Sequence, residues 1–76
     1  MPNLTELAAA QSATIAALTG DAEADRHLQG IGLYPGGRIT VARASTNGQP
    51  LLIAVQGAQF MIEREIAELI FVEHED

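Results

Sequence analysis

Large apolar residues along this chain recur mostly at every second position, in short runs separated by glycine, asparagine or proline. That period of two is the mark of half-buried strands. Residues 38–42 alternate with Ile39 and Val41 inward, and residues 51–55 place Leu51, Ile53 and Val55 on one face. Phe60 and Ile62 alternate with Gln59 and Met61 in a short return strand, and residues 70–73 predict a closing strand. Residues 13–18 predict a first strand, weakened by alanine, a poor strand former. One segment has a different period. Ala24, Leu28 and Ile31 recur at spacings of four and three, so residues 22–29 predict a helix with Glu23, Asp25, Arg26 and Gln29 outward. Asp21 is its expected N-cap, and Asp21, Glu23 and Asp25 sit where the helix dipole favours negative charge.

The ends are less regular. Leu4 and Leu7 can seat one turn on the core, while Ala8, Ala9 and Ala10 favour helix locally but bring no large side chain to bury. Residues 63–68 predict a single helical turn, and His74, Glu75 and Asp76 a frayed acidic tail.

The breaks matter as much as the runs. Residues 28–37 (Leu-Gln-Gly-Ile-Gly-Leu-Tyr-Pro-Gly-Gly) are too apolar for a solvated loop and too rich in glycine to continue a helix. They predict a helix that stops and a chain that reverses over the core, with Gly30 or Gly32 in the left-handed conformation. Pro35 and Gly36 fit the central positions of a type II turn, leaving Ile31 and Leu33 inward. Asn47-Gly48 is the strongest short hairpin signal, and Gly57-Ala58 predicts another turn. Five strands with a short helical insertion after the first give a mainly β fold. The expected form is a small β-barrel, a single domain over residues 1–76, in which closure removes exposed edges.

Composition narrows the function. The chain has 76 residues, and its 47% hydrophobic fraction is rich in alanine, so the core is modest and weak self-association is expected. It has no cysteine, which excludes disulfides and thiolate metal sites. No apolar run approaches the ~18 residues of a membrane span and no secretory signal opens the chain, so it is read as cytoplasmic, without membrane insertion. The net charge is −6, with four arginines and no lysine, which argues against nucleic acid and anionic lipid as partners.

Candidate chemistry is sparse. Only His27 and His74 offer a neutral base, and nothing in the sequence ties Ser12, Thr14, Thr40 or Ser45 to either, so no enzyme is expected. Glu23 and His27, four apart on one helix face, are at most a weak chelating pair, and no metal site or cofactor is expected. The glycines of residues 30–37 follow a helix instead of opening one, where the dipole repels phosphate. Surface recognition remains. Tyr34 stands near the apex of the reversal, and Leu52 and Met61 point away from the interior, which makes a contact patch.

The spacing Leu28-x-x-Ile31-Gly32-Leu33-x-Pro35-Gly36 resembles the signature of the FeoA family, the small SH3-like proteins of bacterial ferrous iron uptake. The likeness continues through Leu4-x-x-Leu7, Ile15, Ile39, Val41, Gly57-x-x-Phe60-x-Ile62, Ala67 and Ile70-x-Val72. The resemblance implies an SH3-like barrel acting as a non-enzymatic accessory module on the cytoplasmic side of FeoB, the membrane-embedded ferrous iron transporter. It also implies kinship with the C-terminal domain of metal-dependent repressors, hence two alternatives: a metal-responsive sensor using Glu23, His27 or His74, or a regulatory domain that binds a proline-containing peptide. The surface expected to meet the transporter comprises Arg26, His27, Tyr34, Pro35, Leu52 and Met61, with Gly30, Gly32, Pro35 and Gly36 as the structural turn. The chain departs from the family pattern at Ala9-Ala10, where the family usually carries Pro-Gly. It also departs at Asp25-Arg26-His27 in a helix that is commonly arginine-rich, at Gly30 where an acidic residue is usual, and at Ala58 where an aromatic is common.

Overall fold

In the computed structural model, which describes residues 1–74, five strands form one antiparallel sheet. They are β1 (Ser12–Leu18), β2 (Arg38–Arg43), β3 (Leu51–Val55), β4 (Ala58–Ile62) and β5 (Ile70–His74). Helix α1 (Ala22–Gly30) is inserted between β1 and β2, and the one-turn helix α2 (Arg64–Ala67) between β4 and β5. A 3-10 turn at Leu4–Glu6, closed by a capping box from Asn3, precedes the sheet. The strand order is β4-β3-β2-β1-β5.

The alternation read from the sequence becomes burial. Ile15, Ile39, Val41, Leu51, Ile53, Ile70 and Val72 are fully buried, together with Leu4 and Leu33 from the segments between strands and before them. No polar or charged residue is buried with them among the described residues, so the core is held by exclusion of apolar surface from water. Phe60 packs against this core and stays half-buried.

Helix α1 is capped at both ends. The Asp21 carboxylate accepts from the Ala24 N–H at 2.8 Å. At the other end Leu33 N–H donates to Leu28 C=O at 2.9 Å and Gly32 N–H to Gln29 C=O at 3.1 Å, with Gly32 at φ +100°. This is a Schellman cap, with Leu28 and Leu33 both buried in the core. Of the two glycines that the sequence left open, Gly32 takes the left-handed position and Gly30 stays in the helix. Asp25, expected outward, instead lies half-buried beside Gly20, with Oδ1 out of solvent and lacking a hydrogen-bond partner.

The β1–β2 ladder, with Ser12 opposite Thr40 and Ala13 opposite Ile39, is terminated at both ends by the same device. At one end residues 34–37 form a type II turn, Gly37 N–H to Tyr34 C=O at 2.9 Å, with Gly36 at φ +92°. Gly36 N–H donates to Ile15 C=O and Ile15 N–H to Gly37 C=O, both at 2.8 Å, so two residues face one. At the other end residues 8–11 repeat the pattern. Gln11 N–H bonds Ala8 C=O, Ala10 N–H bonds Val41 C=O, and Val41 N–H bonds Gln11 C=O, with Ala10 at φ +71°. The helical tendency of the alanine run is therefore overridden: the segment is a turn, because its backbone groups pair with β2.

Three further expectations change. The sheet is open, since no ladder joins β4 to β5 among the described residues. The outer edge of β5 is taken instead by the N-terminal segment, through Val72 N–H to Pro2 C=O at 2.9 Å and a bridge from Asn3 to Phe71. The β3–β4 turn is centred on Gln56-Gly57, at φ +51° and +82°, one residue earlier than Gly57-Ala58. His74 ends β5 opposite Ala13 rather than fraying, while Glu75 and Asp76 of the expected tail lie outside the described residues.

Two substitutions test this backbone. Gly32→Val is expected to lower stability by about 2 kcal/mol or more, since a β-branched residue resists this φ and its Cβ would stand 3.3 Å from Val55. Ala10→Gly is expected to raise it by about 1 kcal/mol, a gain of roughly 4–8 °C in melting temperature for a domain of this size. Thermal denaturation followed by circular dichroism reads both.

Candidate docking surface

The turn at residues 34–37 leaves a cleft where the 32–38 reversal meets β2 and the β3–β4 hairpin. Its volume is about 510 Å³, with Tyr34, Arg38, Thr40, Ala54 and Gln56 supplying the side chains. Each arrives for a local reason. Tyr34 is the first residue of the type II turn, and its ring lies over Gly37, where an added Cβ would stand 3.4 Å from a ring carbon. Thr40 and Ala54 face outward because their neighbours Ile39, Val41, Ile53 and Val55 face the core. Gln56, held at positive φ by its tight turn, donates from Nε2 to Tyr34 Oη at 3.0 Å and so ties the hairpin to the reversal. Ser12 and Thr40 share a hydroxyl–hydroxyl hydrogen bond of 2.7 Å at the adjoining end of the ladder.

Beyond Ala54 the same outer face continues onto Leu52, which stands directly opposite Met61. Met61 is 57% exposed and Tyr34 42% exposed; Leu52 is half-buried between its neighbours. Arg43 reaches the register position beside Leu52 through a bulge in β2. The result is a cleft of mixed polar and apolar lining, rimmed by an aromatic ring and continued by an aliphatic pair, a mixture suited to burying side chains of a protein partner.

Of the residues singled out from the sequence, Tyr34 lines the cleft and Leu52 and Met61 form its apolar extension. Pro35 is exposed at the turn and does not line the cleft. Arg26 and His27 are exposed on α1, whose one fully buried residue is Leu28, and no hydrogen bond or ion pair links them to the cleft among the described residues. Glu23 is likewise exposed, and among the described residues no three His, Asp or Glu side chains converge on one point. Sequence reasoning missed Arg38, Thr40, Ala54 and Gln56. The strand alternation carried the signal for Thr40 and Ala54; Gln56 carried none, because its role follows from a turn type that glutamine seldom adopts.

The FeoA domain family matches residues 3–74. The chain belongs to the FeoA family. Among solved structures, an iron uptake regulatory protein (FeoA) is 27% identical, with a TM-score of 0.89 over 97% of each chain. FeoA from Stenotrophomonas maltophilia, solved with zinc and described as an SH3 domain protein, is 23% identical with a TM-score of 0.83, covering 96% of this chain and 91% of that one. A manganese-dependent transcriptional repressor shares the fold at 19% identity and a TM-score of 0.87, over 97% of this chain and 41% of its own. No curated protein sequence matches the chain. The fold is therefore that of the SH3-like FeoA domains, and family membership implies a role in ferrous iron transport. No helix among the described residues is long and apolar enough to cross a membrane.

The Tyr34–Gln56 hydrogen bond joins two exposed side chains, so its loss is cheap. Tyr34→Phe is expected to cost no more than ~1 kcal/mol in chemical denaturation, which makes the tyrosine hydroxyl available for dissection without unfolding the domain.

Proposed function

We propose that this FeoA-family chain is a cytoplasmic accessory module that docks on the cytoplasmic parts of a FeoB-type ferrous iron transporter and modulates uptake. The observation that carries the reading is the outer face of the sheet. An exposed tyrosine, a cleft and an aliphatic pair lie together on a domain whose charged groups are mostly elsewhere. Tyr34, Leu52 and Met61 form the centre of the contact, with Pro35 at its margin. Arg26 and His27 present the one exposed basic pair of α1 to a second part of the partner.

A second reading, regulation by metal, draws support from the repressor fold and from the zinc-bound relative. On this chain its donors would be Glu23 and His27, four apart on α1 and both exposed, or His74 at the end of β5. Calorimetry with ferrous iron separates the readings: tight stoichiometric uptake favours the sensor.

Docking is tested by binding the purified domain to the cytoplasmic parts of the transporter. Retention in the micromolar range is expected, and Met61→Asp, at an exposed position, is expected to weaken it at least about tenfold while leaving the melting temperature unchanged. A folded domain that shows no retention, or a Met61→Asp variant that binds as the parent does, would overturn the proposal.

A further inference from the structure

The two edges of the sheet are treated differently. The outer edge of β5 is covered by the Pro2–Asn3 segment, whereas β4 ends the strand order with nothing paired to it among the described residues. Proteins ordinarily blunt such an edge with charges, proline or a bulge. Here residues 44–62 carry no charged side chain, in a chain of net charge −6, and the β3–β4 register runs without a shift.

The pairing pattern identifies which groups are free. Val55 and Ala58 flank a two-residue turn, so they exchange hydrogen bonds, and the pattern alternates along the hairpin. Ile53–Phe60 and Leu51–Ile62 are then hydrogen-bonded pairs, while Ala54–Gln59 and Leu52–Met61 are not. The N–H and C=O groups of Gln59 and Met61 consequently point away from β3, toward the open edge.

We propose that β4 is the self-association edge of this protein, pairing antiparallel with β4 of a second copy about a two-fold axis at Phe60. The register closes on itself. With Phe60 opposite Phe60 of the second copy, Gln59 faces Met61 of that copy and Met61 faces its Gln59, so the free backbone groups on each side meet their complements. The half-buried Phe60 rings come together as a non-hydrogen-bonded pair, where side chains approach most closely. Charge permits a second copy at this place. The nearest carboxylate along the strand, Glu63, falls opposite Gly57 of the other copy, about 20 Å along the strand from the other Glu63 at ~3.3 Å per residue. That is more than twice the Debye length of about 8 Å at physiological salt, so like-charge repulsion is largely screened. The edge is short, and the pairing is correspondingly weak and dependent on concentration.

Sedimentation velocity of the purified chain from about ten micromolar to about one millimolar tests this. The sedimentation coefficient is expected to rise with concentration, and amide exchange at Gln59 and Met61 to slow in parallel. Q59K/M61K places like charges opposite each other in the proposed register and is expected to remain monomeric throughout, with an unchanged circular dichroism melt. Q59K/M61E sets the introduced lysine of one copy against the introduced glutamate of the other and is expected to restore self-association. A parent chain that stays monomeric over the whole range, including one whose edge pairs only with a foreign peptide, overturns the proposal. So does self-association that survives the double lysine substitution, or that fails to return with the lysine–glutamate pair.

Discussion

The β1–β2 ladder is held in register at both ends by one backbone device, a type II turn whose third residue also opens a bulge. Ile15 closes one end with both of its backbone groups, on Gly36 and Gly37; Val41 closes the other, on Ala10 and Gln11. Register is what this device secures. A slip by one residue would send Ile39 and Val41 to solvent and Thr40 into the core, because side chains alternate along this stretch of the strand. The same turn that fixes β2 also sets Tyr34 over Gly37, so the cleft is a by-product of the constraint that makes the core.

The two ends of that ladder are not equally comfortable. Gly36 reaches φ +92° with no Cβ to strain, whereas Ala10 sits at φ +71° with one. Pro-Gly in place of Ala9-Ala10 would suit this geometry better: proline presets the second position of the turn and glycine relaxes the third. The chain retains the turn because Val41 would otherwise lose two backbone partners, and a buried unpaired amide costs more than one strained alanine.

Much of the fold was legible from periodicity. The strands around Ile39, Leu51, Phe60 and Ile70, and the helix from Ala22, stand where the alternation and the Asp21 cap put them. What was not legible depends on long-range pairing. The alanine run reads as helix until β2 offers it hydrogen bonds. The expected closure fails because the N-terminal segment reaches the β5 edge, and no local signal in Pro2-Asn3 announces that. The Gln56-Gly57 turn was displaced by one residue because glutamine is a poor marker of positive φ. For the candidate surface, Tyr34, Leu52 and Met61 were accessible from alternation and the Pro-Gly turn. Their assembly with Gln56 and Arg38 into one cleft was not, since it joins residues far apart in sequence.

On the two proposals above, edge and face would do different work on this domain, and strand geometry would let both operate together. Backbone groups of Gln59 and Met61 lie in the plane of the sheet, while their side chains stand on its outer face beside Ala54 and Leu52. Pairing along β4 would therefore consume hydrogen-bonding capacity in the plane and leave the side chains of the face above it accessible. Two copies joined this way would set two Leu52–Met61 pairs on one continuous surface, with the clefts at Tyr34 toward its two ends. A partner that meets that surface would then engage two linked sites rather than one, gaining avidity from effective concentration without any new contact. The absence of charged side chains from the hairpin would thus bear on both proposed roles: it leaves the edge free to pair and the face free to bury, while the carboxylates lie elsewhere in the domain.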